Sequence, residues 1–262
     1  MATGAIMVAV SAGVIFVTVS EYNRSNALYE QTEQQYVSIN EEAKKKVEAV
    51  DTVLPEEFVS NDAVEEEENG WWNNISVDLT GLEARNSDII GWIYFENENI
   101  SYPILYSGDN TTYLRKTYDG KASTAGSIFL DGESTPDFSD PNVLIYGHNM
   151  RDLSMFGRLR YYKTDKSYYE DHQYFQIFTA GKVYRYQIFA YCDVKDNDQI
   201  YYTYGPNPEN FDGAVKHILS KSYVSTDVYN NNDSIVTLST CTSASDDERL
   251  VICAVRSDEH DL

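Results

Sequence analysis

The chain has 262 residues, 42% of them hydrophobic, and a formal net charge of −22. That length suits one catalytic domain with extensions. The charge weighs against nucleic-acid binding, which needs a basic face for the phosphates, and against a polybasic attachment to anionic lipid.

Ala2 to Ser20 opens the chain with nineteen residues free of charge, close to the ~20 needed to cross a bilayer core of roughly 30 Å. We read residues 1–20 as a transmembrane anchor that holds the rest of the chain outside the cell membrane, in a single pass. A cleaved signal peptide would carry a basic start and a small-x-small cleavage site, and this run shows neither. A buried core helix ranks below both, because polar, acidic sequence follows at once.

Residues 21–74 read as a helical and acidic linker region. Asn26 to Val53 is polar and helix-compatible, with sparse apolar positions at Leu28, Tyr36, Val47 and Val50. Glu41 to Glu68 holds eleven acidic residues against three lysines, the pattern of a solvated helix and linker. Asp62 to Gly70 reads as exposed linker, and Trp71 and Trp72 as packing residues.

From Ile75 to the C-terminus the pattern is that of a catalytic domain rich in β-structure, in keeping with 22 tyrosines and only 6 prolines. Leu79 to Asn86 suggests a short helix. Strand-like runs follow at Ile89–Phe95, Ile100–Tyr106 (with Pro103 marking an edge or bend), Gly126–Asp131 and Asn142–Tyr146. Tyr174–Thr179 and Val183–Val194 form a hairpin around Ala180-Gly181-Lys182. Pro208 to Lys221 is a late helix with Phe211, Val215, Ile218 and Leu219 on one face. Ser234–Ser239 and Leu250–Arg256 complete the set. About eight strands with few helices predict a mainly β fold, a closed barrel.

The chemistry concentrates in Ser234 to Val255. A strand runs into Cys241, a polar loop follows, and Arg249 opens the next strand. A thiol attacks as thiolate, which a nearby His or Arg favours, and a fixed Arg can steady the charge that acyl transfer puts on oxygen. An acid or base must still serve the leaving amine. Of the four histidines, His148 is the best placed, at a strand end beside Gly147. His172 lies in a loop, His217 on the late helix and His260 in the acidic tail.

The bland readings stand beside these. The three cysteines cannot complete a disulfide framework, so at least one thiol is free, and no spacing suggests a zinc site. Cys192 and Cys253 lie in apolar strands and read as core. Arg249 could instead form a surface ion pair with Asp246 or Asp247. Arg256 lies about 20 Å further along the strand, out of reach of the thiol.

Thr237-Leu238-Ser239-Thr240-Cys241 resembles the TLxTC signature of sortases, and Arg249 falls where the sortase arginine is expected. Tyr146-Gly147-His148-Asn149-Met150 and Met155-Phe156-Gly157-Arg158-Leu159 are similar to the histidine segment of class B members. Asp88 to Ile93, Ile100 to Ile104 and Ala125 to Asp131 extend the likeness, which runs from about Ile75 to Val255. The resemblance implies an eight-stranded sortase-type barrel, with N-terminal helices and a long helix between the sixth and seventh barrel strands. It implies catalysis by Cys241, His148 and Arg249, with Thr240 and Ser239 at the substrate or oxyanion site. No metal or other cofactor is implied.

The implied reaction is cleavage of an LPxTG- or NPxTN-like sorting peptide after its Thr. The acyl group then passes to an amine of a peptidoglycan cross-bridge or of a pilin lysine. Cell-wall anchoring of surface proteins leads; pilus assembly shares every catalytic residue. A silent peptide-binding module sits poorly with the intact Cys241, His148 and Arg249. A papain-like hydrolase would want the Cys at a helix start and the His downstream.

Overall fold

The computed structural model describes residues 2–40, 70–202, 208–230, 233–242 and 247–262. The acidic linker and Asp246 lie outside the described residues.

Helix α1 (Ala2–Tyr36) is one continuous helix of 35 residues. The sequence suggests an anchor over 1–20 and one or two helices over Asn26–Val53; the helix runs without a break from Ala2 to Tyr36, and residues 41–53 lie outside the described residues. Among the described residues no helix is long and apolar enough to cross a membrane. Ser, Thr and Gly dilute the hydropathy of Ala2–Ser20. Strand β1 (Val37–Ile39) pairs with β2 (Ile75–Val77) as a small antiparallel ribbon beside the barrel.

The second half of α1 is fixed to the barrel by buried polar contacts. The Tyr29 hydroxyl donates to the Gly126 carbonyl at 2.9 Å and meets Ser127 Oγ at 2.9 Å. Its ring packs edge-on against Tyr102, and burial pushes its pKa above the ordinary tyrosine value. Ser25 meets Ser123 at 2.7 Å, and Thr32 meets Tyr118 at 2.7 Å.

After a short helix α2 (Leu79–Glu83), capped by Asp78 accepting from the Gly81 amide, the barrel strands follow. They are β3 (Ile89–Phe95), β4 (Ser101–Leu105), β5 (Ile128–Leu130), β6 (Asn142–Tyr146), β7 (Tyr174–Thr179), β8 (Lys182–Lys195), β9 (Ile235–Cys241) and β10 (Glu248–Asp261). They close in the order β10-β8-β7-β3-β4-β5-β6-β9, eight strands in all. The pairings β4–β5 and β6–β9 are parallel, and the rest antiparallel. The β7–β8 turn depends on Gly181, whose φ of 104° is left-handed and open to glycine at no steric cost.

Pro103 lies inside β4 opposite Trp92. The β4–β5 pairing begins only at Ile104, so the missing Pro N–H removes no ladder bond on that side. Strand β9 reads as an unbroken buried run because both its faces are covered. Val236 and Leu238 join the main core inside the barrel. Ile235 joins a second cluster under helix α5 (Pro208–Lys221), where Phe211, Val215 and Ile218 supply the apolar stripe. Two short helices, α3 (Tyr161–Thr164) and α4 (Tyr168–Asp171), precede β7.

Trp71 is buried and donates its indole N–H to Asp258 at 2.8 Å, and Trp72 stacks on His260 at 4.2 Å. These are packing residues, and they place His260 away from any cleft.

Replacing Tyr29 with Ala removes the ring and both hydroxyl contacts. It is expected to destabilise the protein by about 3–5 kcal/mol, the range for emptying a buried aromatic site. Urea unfolding of the two proteins measures this, and a loss below about 1 kcal/mol would contradict the docking of α1.

Candidate active site

The parallel register of β6 and β9 sets Tyr146 level with Ser239, and the Gly147 N–H extends the ladder by donating to the Ser239 carbonyl at 3.2 Å. Beyond the paired residues the chain carries His148 on from Tyr146 and Cys241 on from Ser239, and all four residues line one cleft. Across the other edge of β9 the antiparallel register pairs Cys241 with Arg249 directly. Neighbouring strands are about 4.8 Å apart, so three strand ends present a thiol, an imidazole and a guanidinium to one cleft. That cleft holds about 310 Å³ and is lined also by Leu114, Phe129, Tyr201, Asp196 and Thr240. Cys241 is the exposed cysteine.

His148 Nε2 lies 2.8 Å from the Leu114 carbonyl. A carbonyl only accepts, so Nε2 carries the proton and Nδ1 is left to exchange protons with the reacting groups. Burial pulls the His148 pKa below its usual 6.5, outweighing the Leu114 bond that raises it; the Arg115 charge lowers it further. The unfolded chain therefore takes up a proton that the folded site resists. The site costs no stability above about pH 6.5, and costs progressively more as pH falls through that value towards the folded pKa.

Arg249 donates to the Glu248 carbonyl at 3.0 Å, and its other nitrogen lies 3.8 Å from Asp196. The distance and the half-exposed Asp196 make this a loose pair. Asp247 instead pairs with Lys195 at 3.0 Å, and the Glu248 carboxylate accepts from Thr242 at 3.2 Å.

Ser239 is buried and meets the Tyr201 hydroxyl at 2.7 Å. Tyr201 stacks over Tyr146, which donates to Asp131 at 2.9 Å. Thr240, next to Cys241, also lines the cleft. It is buried, and its hydroxyl has no hydrogen-bond partner among the described residues.

The remaining histidines belong elsewhere: His172 contacts the Tyr168 carbonyl at 2.7 Å, and His217 meets Asp198 at 3.1 Å. Arg256 sits over the Tyr184 ring at 4.2 Å, far along β10 from the thiol. Cys192 and Cys253 are buried free thiols, both pushed up to about 12 by burial.

Several cleft residues carry no local signal. Tyr201 and Leu114 lie in connecting segments that only the closed barrel brings to the thiol. Asn149 donates to the Cys241 carbonyl at 2.7 Å; its position beside His148 was the one available hint.

An exposed thiol, an imidazole and a guanidinium lining one cleft are the groups that acyl transfer through a cysteine calls for. The sortase domain profile matches residues 93–257. Sortase B of Listeria monocytogenes is 36% identical over 173 residues, covering 66% of this chain and 70% of that protein. Sortase B of Staphylococcus aureus is 30% identical over 176 residues, covering 66% and 72%. The solved structure of Clostridium perfringens sortase B matches with a TM-score of 0.64 at 31% identity, covering 69% of this chain and 100% of that one. The chain belongs to the sortase family, in its class B, and is a cysteine transpeptidase.

Iodoacetamide near the ordinary thiol pKa of about 8.5 is expected to modify Cys241 alone in the folded protein. All three cysteines should react in denaturant; labelling of Cys192 or Cys253 under native conditions would contradict their burial. In an NMR titration the His148 ring is expected to show a midpoint below 6.5. A midpoint above that value would overturn the burial argument.

Proposed function

We propose that this enzyme cleaves an LPxTG- or NPxTN-like sorting peptide after its Thr and joins the acyl group to an amine, anchoring surface proteins to peptidoglycan. One observation carries the reading: Cys241 is the exposed thiol, sharing one cleft with His148 and paired across the strands with Arg249.

In this scheme Cys241 Sγ passes its proton to His148 Nδ1 and, as thiolate, attacks the Thr carbonyl carbon. Arg249 steadies the negative charge on the carbonyl oxygen. The peptide C–N bond breaks, and the leaving amine takes its proton from His148 Nδ1. The thioester then meets an incoming amine, which gives a proton back to His148. The new amide forms and the thiolate leaves. Binding and exclusion of water fall to the cleft walls, chiefly Tyr146, Tyr201 and Leu114.

The incoming amine is proposed to belong to a peptidoglycan cross-bridge. Placement outside the cell membrane, with α1 as the tether, belongs to the same proposal and rests on the uncharged run Ala2–Ser20.

Mixing the full chain with both peptide types and following it by mass spectrometry tests the reading. The expected result is a thioacyl adduct on Cys241, release of the C-terminal fragment, and transfer to a cross-bridge peptide. Transfer to a pilin lysine instead would redirect it to pilus assembly, and an unreactive folded enzyme would sink it. Cys241→Ala should abolish turnover, and His148→Ala and Arg249→Ala should each lower kcat by about a hundredfold or more. Cys192→Ser and Cys253→Ser should retain activity. A nearly normal Arg249→Ala enzyme would reduce Arg249 to its loose ion pair with Asp196.

A further inference from the structure

Asn149 spans the two strand ends that carry the chemistry. Its side-chain Nδ2 donates to the Cys241 carbonyl at 2.7 Å, and its Oδ1 accepts from Arg160 Nη2 at 2.6 Å. A guanidinium has only donors, so Arg160 dictates which way the Asn149 amide faces. The oxygen must turn to Arg160, and the NH2 is thereby aimed at Cys241.

Arg160 in turn holds the loop after His148 at both ends. It donates to the Met150 carbonyl and, through Nε, to the Gly157 carbonyl at 2.7 Å. The loop is a closed turn. Asn149 bridges Met155, and the Phe156 N–H donates to the His148 carbonyl at 3.0 Å. Leu153 and Met155 sit at φ 69° and 53°, left-handed values that non-glycine residues hold only when their surroundings compel them. Buried Met155 and Phe156, and the Tyr102 hydroxyl accepting from the Met155 N–H at 3.1 Å, supply that constraint. A rigid loop, clipped by Arg160, thus ties the backbone next to the imidazole to the backbone of the nucleophile.

We propose that Asn149 is a positioning residue for acyl transfer: its amide, oriented by Arg160, holds the Cys241 carbonyl and so sets the spacing between the His148 ring and the Cys241 thiol. The inference rests on the proton-transfer role given to His148 above.

The test uses the full chain and two readouts. The first needs no substrate: the pH dependence of Cys241 alkylation by iodoacetamide in wild type, His148→Ala and Asn149→Leu, the last of similar size but without the donor. The Asn149→Leu profile is expected to depart from wild type and approach that of His148→Ala. The second is steady-state cleavage of a sorting peptide. There kcat is expected to fall by up to about a hundredfold, the effect of misplacing reacting groups by about 1 Å, with KM and melting temperature close to wild type. Asn149→Ala repeats both readouts if the Leu variant folds poorly.

A wild-type profile and kcat in these variants would overturn the proposal. So would a loss of activity that only tracks the folded fraction, a rise in KM alone, or identical profiles for wild type and His148→Ala. If the wild type turns over no sorting peptide, the substrate assignment fails while the alkylation profiles still decide the role of Asn149.

Discussion

The parallel pairing of β6 with β9 is the constraint on which the site depends. It sets residues far apart in sequence at one height, and a slip of one residue would turn Tyr146 and Ser239 to opposite faces. Its start is pinned by buried polar contacts. The Ile235 N–H donates to the Pro141 carbonyl at 2.8 Å, and Thr237 donates to Asn142 Oδ1 at 2.8 Å. Asn142 in turn donates to the Ile200 carbonyl at 2.7 Å. These bonds are buried, so breaking one strands a polar group away from water, and the register is held from the end opposite the chemistry. Closure through β10 then delivers Arg249 with no further device.

Reactivity follows from exposure as much as from position. The chain carries three free thiols, and burial raises the pKa of two of them well above the working range. Cys241, at the strand end, is left as the accessible nucleophile. The same burial logic keeps His148 mostly neutral near pH 7, with Nε2 occupied by Leu114 and Nδ1 turned to proton transfer. The Leu114 carbonyl, the Asn149 amide and the Tyr146–Tyr201 wall are fixed by backbone and aromatic packing, so the cleft is organised before any peptide arrives.

Much of this was legible in the chain. Strands Ile89–Phe95, Asn142–Tyr146 and Tyr174–Thr179 and the helix Pro208–Lys221 have the bounds read from sequence, because apolar runs and turn residues declare them locally. The core readings of Cys192 and Cys253 followed from their apolar neighbours in the same way, and both are buried. The docking of the N-terminal helix was not: Asn26 to Val53 reads as one or two helices, and nothing in it announces that Ser25, Tyr29 and Thr32 are satisfied by partners on the barrel. Hydrogen-bond partners of that range leave no periodic trace.

The sequence alone determined the strand set and the approach of the Cys241 thiol to its flanking arginine, since a short loop between two strands brings Cys241 and Arg249 together by local geometry. Only the tertiary structure decided that His148 shares a cleft with the thiol, and which of its nitrogens meets the Leu114 carbonyl. It also placed Tyr201 and Leu114 in the cleft and tied Asn149 to the Cys241 carbonyl. The physical reason is that these are consequences of a register between strands distant in the chain. Such a register is selected by burying both faces of β9 and satisfying Asn142 and Thr237 at once, and neither condition is written in any single segment.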